Sequence, residues 1–204
     1  AWRYKADDRL DNKAGLADHR IQTTQHLHSA SRHCHLFKCL AQGGVDALSV
    51  EGVRDTGYAV GDMFGGLTDE EPLSKVLWWR SVGHSHTAYA METMMDKAAR
   101  AVGADPVAFR LRHLAGDGAD QKRLSGVLKA AAEASGWDTP APEGRARGVA
   151  VHKSFNSYVA EVVEVSQANG AIRIEKVTCA VDCGVAVNPD IIYARGSAFG
   201  DKGP

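Results

Sequence analysis

A chain of 204 residues with 24 Lys+Arg against 25 Asp+Glu has a formal net charge of -1, and 44% of it is hydrophobic. That length can bury a real core, and the charge balance argues against nucleic acid or an anionic membrane as the main partner. No run approaches the roughly 18 apolar residues of a membrane-spanning helix, so no transmembrane segment is expected.

Residues 1–42 are polar, mixed in charge and weakly periodic. Residues 1–20 lack the apolar stretch of a signal peptide, so none is expected. The run His26-Leu27-His28-Ser29-Ala30-Ser31-Arg32-His33-Cys34-His35, with Cys39 beyond it, holds residue types that ligate zinc or copper. It has no recognised zinc spacing, reads as chance clustering, and no metal site is assigned there. Residues 43–58 read as short strands and turns. Residues 61–72, with Gly61, Gly65 and Gly66, read as an acidic, glycine-rich loop. Residues 76–79 are a short apolar run that ends at Arg80.

The middle of the chain is helical. Met91, Met94, Met95, Ala98 and Val102 fall at i, i+3, i+4, i+7 and i+11, the spacing of one helix face. Gly103 suits the stop, because glycine takes the left-handed conformation without strain. Asp105 and Pro106 read as the cap and first residue of a second helix, where the missing proline N–H would have no partner anyway. Val107, Leu111 and Leu114 give it a core stripe. A third helix carries Leu124, Val127, Leu128, Ala131 and Ser135 and ends at Gly136. Residues 139–147, with Pro140 and Pro142, read as a linker.

The period then changes to two. Strands are expected over 148–153 and 158–166. Asn169-Gly170 is a two-residue hairpin signal, since both positions must tolerate positive φ. Beyond it Ile172 and Ile174 alternate with Arg173 and Glu175, as in a half-buried strand that continues through Val177, Cys179 and Val181. Asp182-Cys183-Gly184 ends it, and Asn188-Pro189 marks another turn. The order predicts an α+β fold, with helices packed on a mixed or antiparallel sheet. The four cysteines, Cys34, Cys39, Cys179 and Cys183, form no CxxC pair and read as reduced thiols.

The segment richest in chemistry is Trp78-Trp79-Arg80-Ser81-Val82-Gly83-His84-Ser85-His86-Thr87. An apolar strand ends, a permanently charged donor fork follows, a glycine permits close approach, and a helix starts with Ser and Thr at its cap. Helix N-termini attract anions, so the bare reading is an anion or nucleotide site at a strand-to-helix turn.

The run Trp79-Arg80-Ser81-Val82-Gly83-His84-Ser85-His86-Thr87-Ala88-Tyr89, with Glu92 and then Gly103-Ala104-Asp105-Pro106-Val107-Ala108-Phe109-Arg110, resembles the large subunit of the molybdenum hydroxylases. This is the xanthine dehydrogenase and aldehyde oxidase superfamily, and the isoquinoline 1-oxidoreductase beta subunits within it. Gly44-Val45-Asp46-Ala47, Ser49-Val50-Glu51-Gly52, Tyr158-Val159-Ala160-Glu161-Val162 and Val181-Asp182-Cys183-Gly184-Val185-Ala186-Val187-Asn188-Pro189-Asp190 match in the same order.

The resemblance implies a partial molybdopterin-binding domain over 43–194 of a larger subunit. Residues 1–42 and 195–204 are divergent flanks. It implies hydroxylation of a carbon beside nitrogen or oxygen in aldehydes or N-heteroaromatic compounds, with water as the oxygen source. The molybdenum would be held by a molybdopterin cytosine dinucleotide with no side-chain ligand. The [2Fe–2S] clusters would lie on a small partner subunit. It further implies that Trp79, Arg80, Ser81, Val82, Gly83 and His84 contact the cofactor, and that Arg80 lies near the substrate as a catalytic residue. The family's general base is a glutamate in a glycine-rich motif with no counterpart in this sequence, and Glu92 is not its replacement. The chain alone is therefore expected to be inactive, either as a fragment or as a frame-shifted remnant. A small metal-binding protein built on the His/Cys run is the remaining alternative. The compartment, cytoplasmic or periplasmic, stays open.

Overall fold

The computed structural model describes residues 20–25, 50–61, 64–69 and 81–185, with 20–25 and 64–69 described at the backbone. Helix α1 (His84–Ala101) buries Met91, Met94, Met95 and Ala98, as the spacing predicts. Val102 lies past its end, 54% exposed, and Gly103 follows at φ +64. The N-terminus departs from expectation. Gly83 is the cap residue and no side chain caps it. Thr87 Oγ1 instead donates back to the Gly83 carbonyl, 3.1 Å away.

Helix α2 (Pro106–His113) starts as its sequence dictates. The Asp105 carboxylate accepts from the Val107 and Ala108 N–H groups, each at 2.9 Å, with proline in the first position. Val107 and Leu114 are buried, and so are Phe109 and Arg110, which the stripe did not include. Helix α3 (Ala119–Ser135) buries Leu124, Val127, Leu128 and Ala131 and ends at Gly136, φ +70, in the left-handed conformation.

Two strands run parallel, β1 (Arg20–Gln25) and β2 (Phe64–Asp69), in register from Arg20 opposite Phe64 to Gln25 opposite Asp69. This corrects the loop expected over 61–72. Strand formation depends on a partner more than on local propensity, so the glycine signal of Gly65 and Gly66 is overridden. Within 50–61 the chain makes turns and no strand.

The main sheet has the antiparallel order β3 (Arg145–Ser154), β4 (Ser157–Ala168), β5 (Ala171–Asp182). Phe155 and Asn156, at φ 48 and 61, turn β3 into β4. Asn169 and Gly170, at φ 53 and 76, turn β4 into β5 as the sequence predicts. Strand β3 begins inside the expected linker. There Arg145 and Arg147 hold the buried Glu164 carboxylate of β4 at 2.6 and 3.0 Å.

Helix α3 covers one face of this sheet, where Val149, Val151, Tyr158, Ala160 and Val162 are buried. The outer face carries Val159, Glu161 and Val163 of β4, opposite Val181, Cys179 and Val177 of β5. Strand β5 is not half-buried as its alternation predicts: Ile172 and Ile174 are 75% and 70% exposed. The register shift after Glu164 makes Glu175 an extra residue, and Ile174 then faces outward beside Val165. The two edges of the sheet differ. At the outer edge of β3 the Val151 N–H donates to Glu92 of α1 at 2.9 Å. Among the described residues no strand pairs with the outer edge of β5. Among the described residues three helices and the two sheets make an α+β arrangement, as expected.

Candidate functional site

Four of the six residues singled out in the sequence, Ser81, Val82, Gly83 and His84, form the entry to α1. Trp79 and Arg80 lie outside the described residues, as does the whole His/Cys run from His26 to Cys39. The entry is strained. Ser81 at φ 67 and Val82 at φ 44 both stand in the left-handed region. That conformation is an outlier for a β-branched side chain and costs on the order of 1–3 kcal/mol per residue. Strain of this kind persists only where the surroundings hold it.

The turn at 50–55 provides that support. Glu51 Oε2 accepts from the Gly83 N–H at 3.2 Å, so a carboxylate of the chain itself sits at the positive end of α1. Three N–H groups of the first turn are also engaged. Ser85 N donates to the Val82 carbonyl, and His86 N and Thr87 N donate to the Gly83 carbonyl. Gly52, at φ +80, packs directly on α1. A Cβ there would lie 2.6 Å from Thr87 Oγ1 and 2.9 Å from both His84 Nδ1 and His152 Cε1. Its N–H donates to Asp55 Oδ1 at 2.6 Å, which closes the turn.

His84 meets a partner from a distant part of the chain. Its Nδ1 and the Nε2 of His152, on the outer face of β3, are 2.9 Å apart, so one ring donates and the other accepts. The rings meet edge to face at 5.1 Å, and Phe155 lies tilted against His84 at 6.4 Å. Burial pushes the His152 pKa down to about 4, and His84 adds to the fall against a weaker pull from Asp55. His152 is therefore neutral near pH 7. It also lines a groove of about 470 Å³ between α1 and the outer sheet face, with Tyr89, Thr93, Asp96, Ala150, Val159 and Glu161.

Glu92 is spent elsewhere. Its carboxylate accepts from the Tyr58 hydroxyl at 2.8 Å, Arg110 Nε at 2.9 Å and Val151 N at 2.9 Å. Arg110 is fully buried and also reaches Asp96 at 2.7 Å. Burial raises the Glu92 pKa, while Arg110, Val151 and Tyr58 oppose the rise. Burial opposes the Arg110 charge, yet Glu92, Tyr58 and Asp96 together raise its pKa. This cluster ties the 50–61 turn, α1, α2 and β3 together. It leaves neither Glu92 oxygen free to act as a base.

Sequence reasoning missed His152 and gave no role to Glu51 and Gly52. The only signal for the latter two was their place in a matching motif. For His152 there was none, because a single histidine in a strand has no pattern.

The donor set at this entry suits some ligands better than others. The backbone N–H groups of Gly83, Ser85, His86 and Thr87 are already bonded within the chain. What the entry offers is side-chain hydrogen bonding, above all the second ring nitrogen of His84. It fits the polar edge of a heterocyclic cofactor such as a pterin. Among the described residues no cluster of three metal-ligating side chains occurs, and no helix is long and apolar enough to cross a membrane. Cys179 and Cys183 are free and exposed.

No protein-family model matches the chain. Three curated proteins do. The beta subunit of isoquinoline 1-oxidoreductase from Brevundimonas diminuta is 35% identical over 125 residues, 59% of this chain and 16% of that protein. The B subunit of nicotinate dehydrogenase from Pseudomonas putida is 31% identical over 144 residues, 61% of this chain and 12% of that protein. The membrane-bound aldehyde dehydrogenase (pyrroloquinoline-quinone) of Gluconacetobacter polyoxogenes is 30% identical over 131 residues, 55% of this chain and 17% of that protein. The resemblance drawn from the motifs is thus borne out, and two of the three matches are named as subunits. The chain spans about a sixth or less of the length of these relatives.

Proposed function

We propose that this chain is part of the molybdopterin-binding domain of an oxidoreductase that hydroxylates or dehydrogenates aldehydes or N-heteroaromatic compounds. The observation that carries the reading is the likeness to three oxidoreductases over more than half of the chain. When bound, the molybdenum–molybdopterin cytosine dinucleotide supplies the two-electron oxidation of the substrate carbon. The chain's task is to hold and orient it. Trp79, Arg80, Ser81, Val82, Gly83 and His84 take that role, and the side chains at the α1 entry meet the pterin edge. Arg80 acts beside the substrate, where its guanidinium stabilises negative charge as it develops. The family's glutamate base has no counterpart among these residues, and the [2Fe–2S] clusters belong to a small partner subunit.

The test joins this chain to the remainder of a large subunit, recovered by reading the flanking DNA in all frames. It then compares wild type with Arg80→Ala on isoquinoline and on an aldehyde. The reading expects turnover in the wild type, and loss of at least about a hundredfold in the variant with bound molybdenum unchanged. Equal turnover removes Arg80 from the site. Absence of both molybdenum and turnover in the assembled wild type favours the inactive remnant.

A further inference from the structure

We propose that β5 is a self-association edge, on which a second copy of this chain pairs antiparallel about a two-fold axis at Cys179. Residues 176–182 of each copy form the contact, and two three-stranded sheets become one.

The register follows from the hairpins. Ser154 and Ser157 flank a two-residue turn, and such residues exchange both hydrogen bonds. Bonded and non-bonded rungs then alternate along an antiparallel pair. Counted along β4, the backbone groups of Ser157 and Val159 point to β3, and those of Tyr158, Ala160, Val162 and Glu164 point to β5. Their partners Asp182, Ala180, Thr178 and Lys176 are bonded within the sheet. Val181, Cys179 and Val177, which alternate with them, direct their N–H and C=O groups away from it. The strand is regular from Lys176 to Asp182. Glu175 is the extra residue of the bulge at one end, and β5 stops at Asp182 at the other. A two-fold axis that pairs the whole of this stretch passes through its midpoint, Cys179. Any other axis brings the bulge or the chain beyond Asp182 into the ladder.

The sequence is self-complementary about that midpoint. Val177 comes opposite Val181 of the second copy, and they are 52% and 58% exposed in the single chain. Lys176, also exposed, comes opposite Asp182 on a non-bonded rung, where side chains lie closest. The Asp182 carboxylate accepts from Arg123 at 2.7 Å and from the Gly184 N–H at 3.0 Å. A carboxylate has about four acceptor sites, so it has room for a lysine as well. The axis repeats this charge pair on both sides of Cys179.

The helix side of the edge leaves room for the second copy. A groove of about 340 Å³ between α3 and β5 is lined by Lys122, Gly126, Ala130 and Ala180. Nothing lies within 4 Å of where a Gly126 Cβ would stand. The α3 of the second copy therefore meets a flank with small side chains.

The test uses the full 204-residue chain with Cys34, Cys39 and Cys183 replaced by Ser, which leaves Cys179 as its thiol. Sedimentation equilibrium reads the dimer constant, and a short bismaleimide reads the register. The chain should dimerise reversibly, and Cys179 should link to Cys179. With Cys179 also replaced by Ser, Val177→Cys alone or Val181→Cys alone sets the two thiols roughly 13 Å apart along the strands, and each should link at least about tenfold more slowly. A mixture of those two chains sets the thiols opposite each other and should link within about threefold of the Cys179 rate. Cys179→Pro removes the outward N–H at the axis and should weaken the dimer at least about tenfold. Lys176→Glu places like charges on both outer rungs and should weaken it to a similar degree. If Cys179→Pro does not fold, Lys176→Glu makes the same comparison.

A chain that stays monomeric at every soluble concentration overturns the proposal. So do single-thiol chains at 177, 179 and 181 that link at equal rates, or a dimer constant that neither variant changes. A Cys179 that the reagent cannot reach in the monomer assigns this edge to another segment of the chain, and overturns the proposal too.

Discussion

At the scale of single residues, Gly52 bears on the α1 entry more directly than any side chain does. Its φ of +80 and the three contacts under 3 Å that a Cβ would make leave no tolerated substitution. Gly52→Ala should lower stability by about 2–4 kcal/mol, the sum of left-handed strain and overpacking, read from the urea midpoint. A variant as stable as wild type would mean that the turn can move away from α1. His152 gives the second residue-scale expectation. Its pKa falls from 6.5 unfolded to about 4 in the fold, so between those values the unfolded chain takes up a proton that the native chain refuses. Stability from this group is therefore complete above the window and is lost as pH falls through it. The loss is on the order of 2 kcal/mol once partial exposure is allowed for. Urea titrations above and below the window should show the loss in wild type and a flatter response in His152→Gln. Equal slopes would remove His152 as its source.

At the scale of elements, Glu92 joins four pieces of chain through three hydrogen bonds. Removing it takes the more deeply buried of two carboxylates, Glu92 and Asp96, from a buried guanidinium, and Glu92→Ala should cost about 3–5 kcal/mol. Amide exchange should rise in the 50–61 turn and in α2 as well as in α1. A change confined to α1 would contradict the clamp. The elements themselves were mostly legible in the sequence. Helix periodicity, the Asp105-Pro106 start, the Gly136 stop and the Asn169-Gly170 turn depend on neighbours within a few residues, and sequence shows neighbours. Strand β2 was not legible, because Phe64–Asp69 becomes a strand only opposite Arg20–Gln25. Arg110 reads as a surface residue until Glu92, 18 residues earlier in the chain, is seen to neutralise it. For the site, the loop at 81–84 was legible as a motif. Its supports were not, since Glu51 and His152 reach it across 32 and 68 residues.

At the scale of the whole molecule, the two faces of the main sheet are unequal. One packs on α3. The other exposes Ile172, Ile174, Val177 and Val181 along β5. An apolar edge strand is a template for further strands. Ile174→Lys should raise the solubility limit of the chain without moving its melting temperature, because the residue touches little in the fold. A drop in melting temperature would place Ile174 in the core after all.

The two edges of that sheet also set how far such joining can go. Endless growth requires a donor edge and an acceptor edge on every chain, so that each newcomer offers the next a fresh surface. Among the described residues the Glu92 carboxylate takes the outward N–H of Val151 at the β3 edge of the main sheet, and no strand pairs with its β5 edge. Two chains that meet through β5 use up the open edge of each main sheet, and sedimentation at high concentration should then find pairs and no fibres.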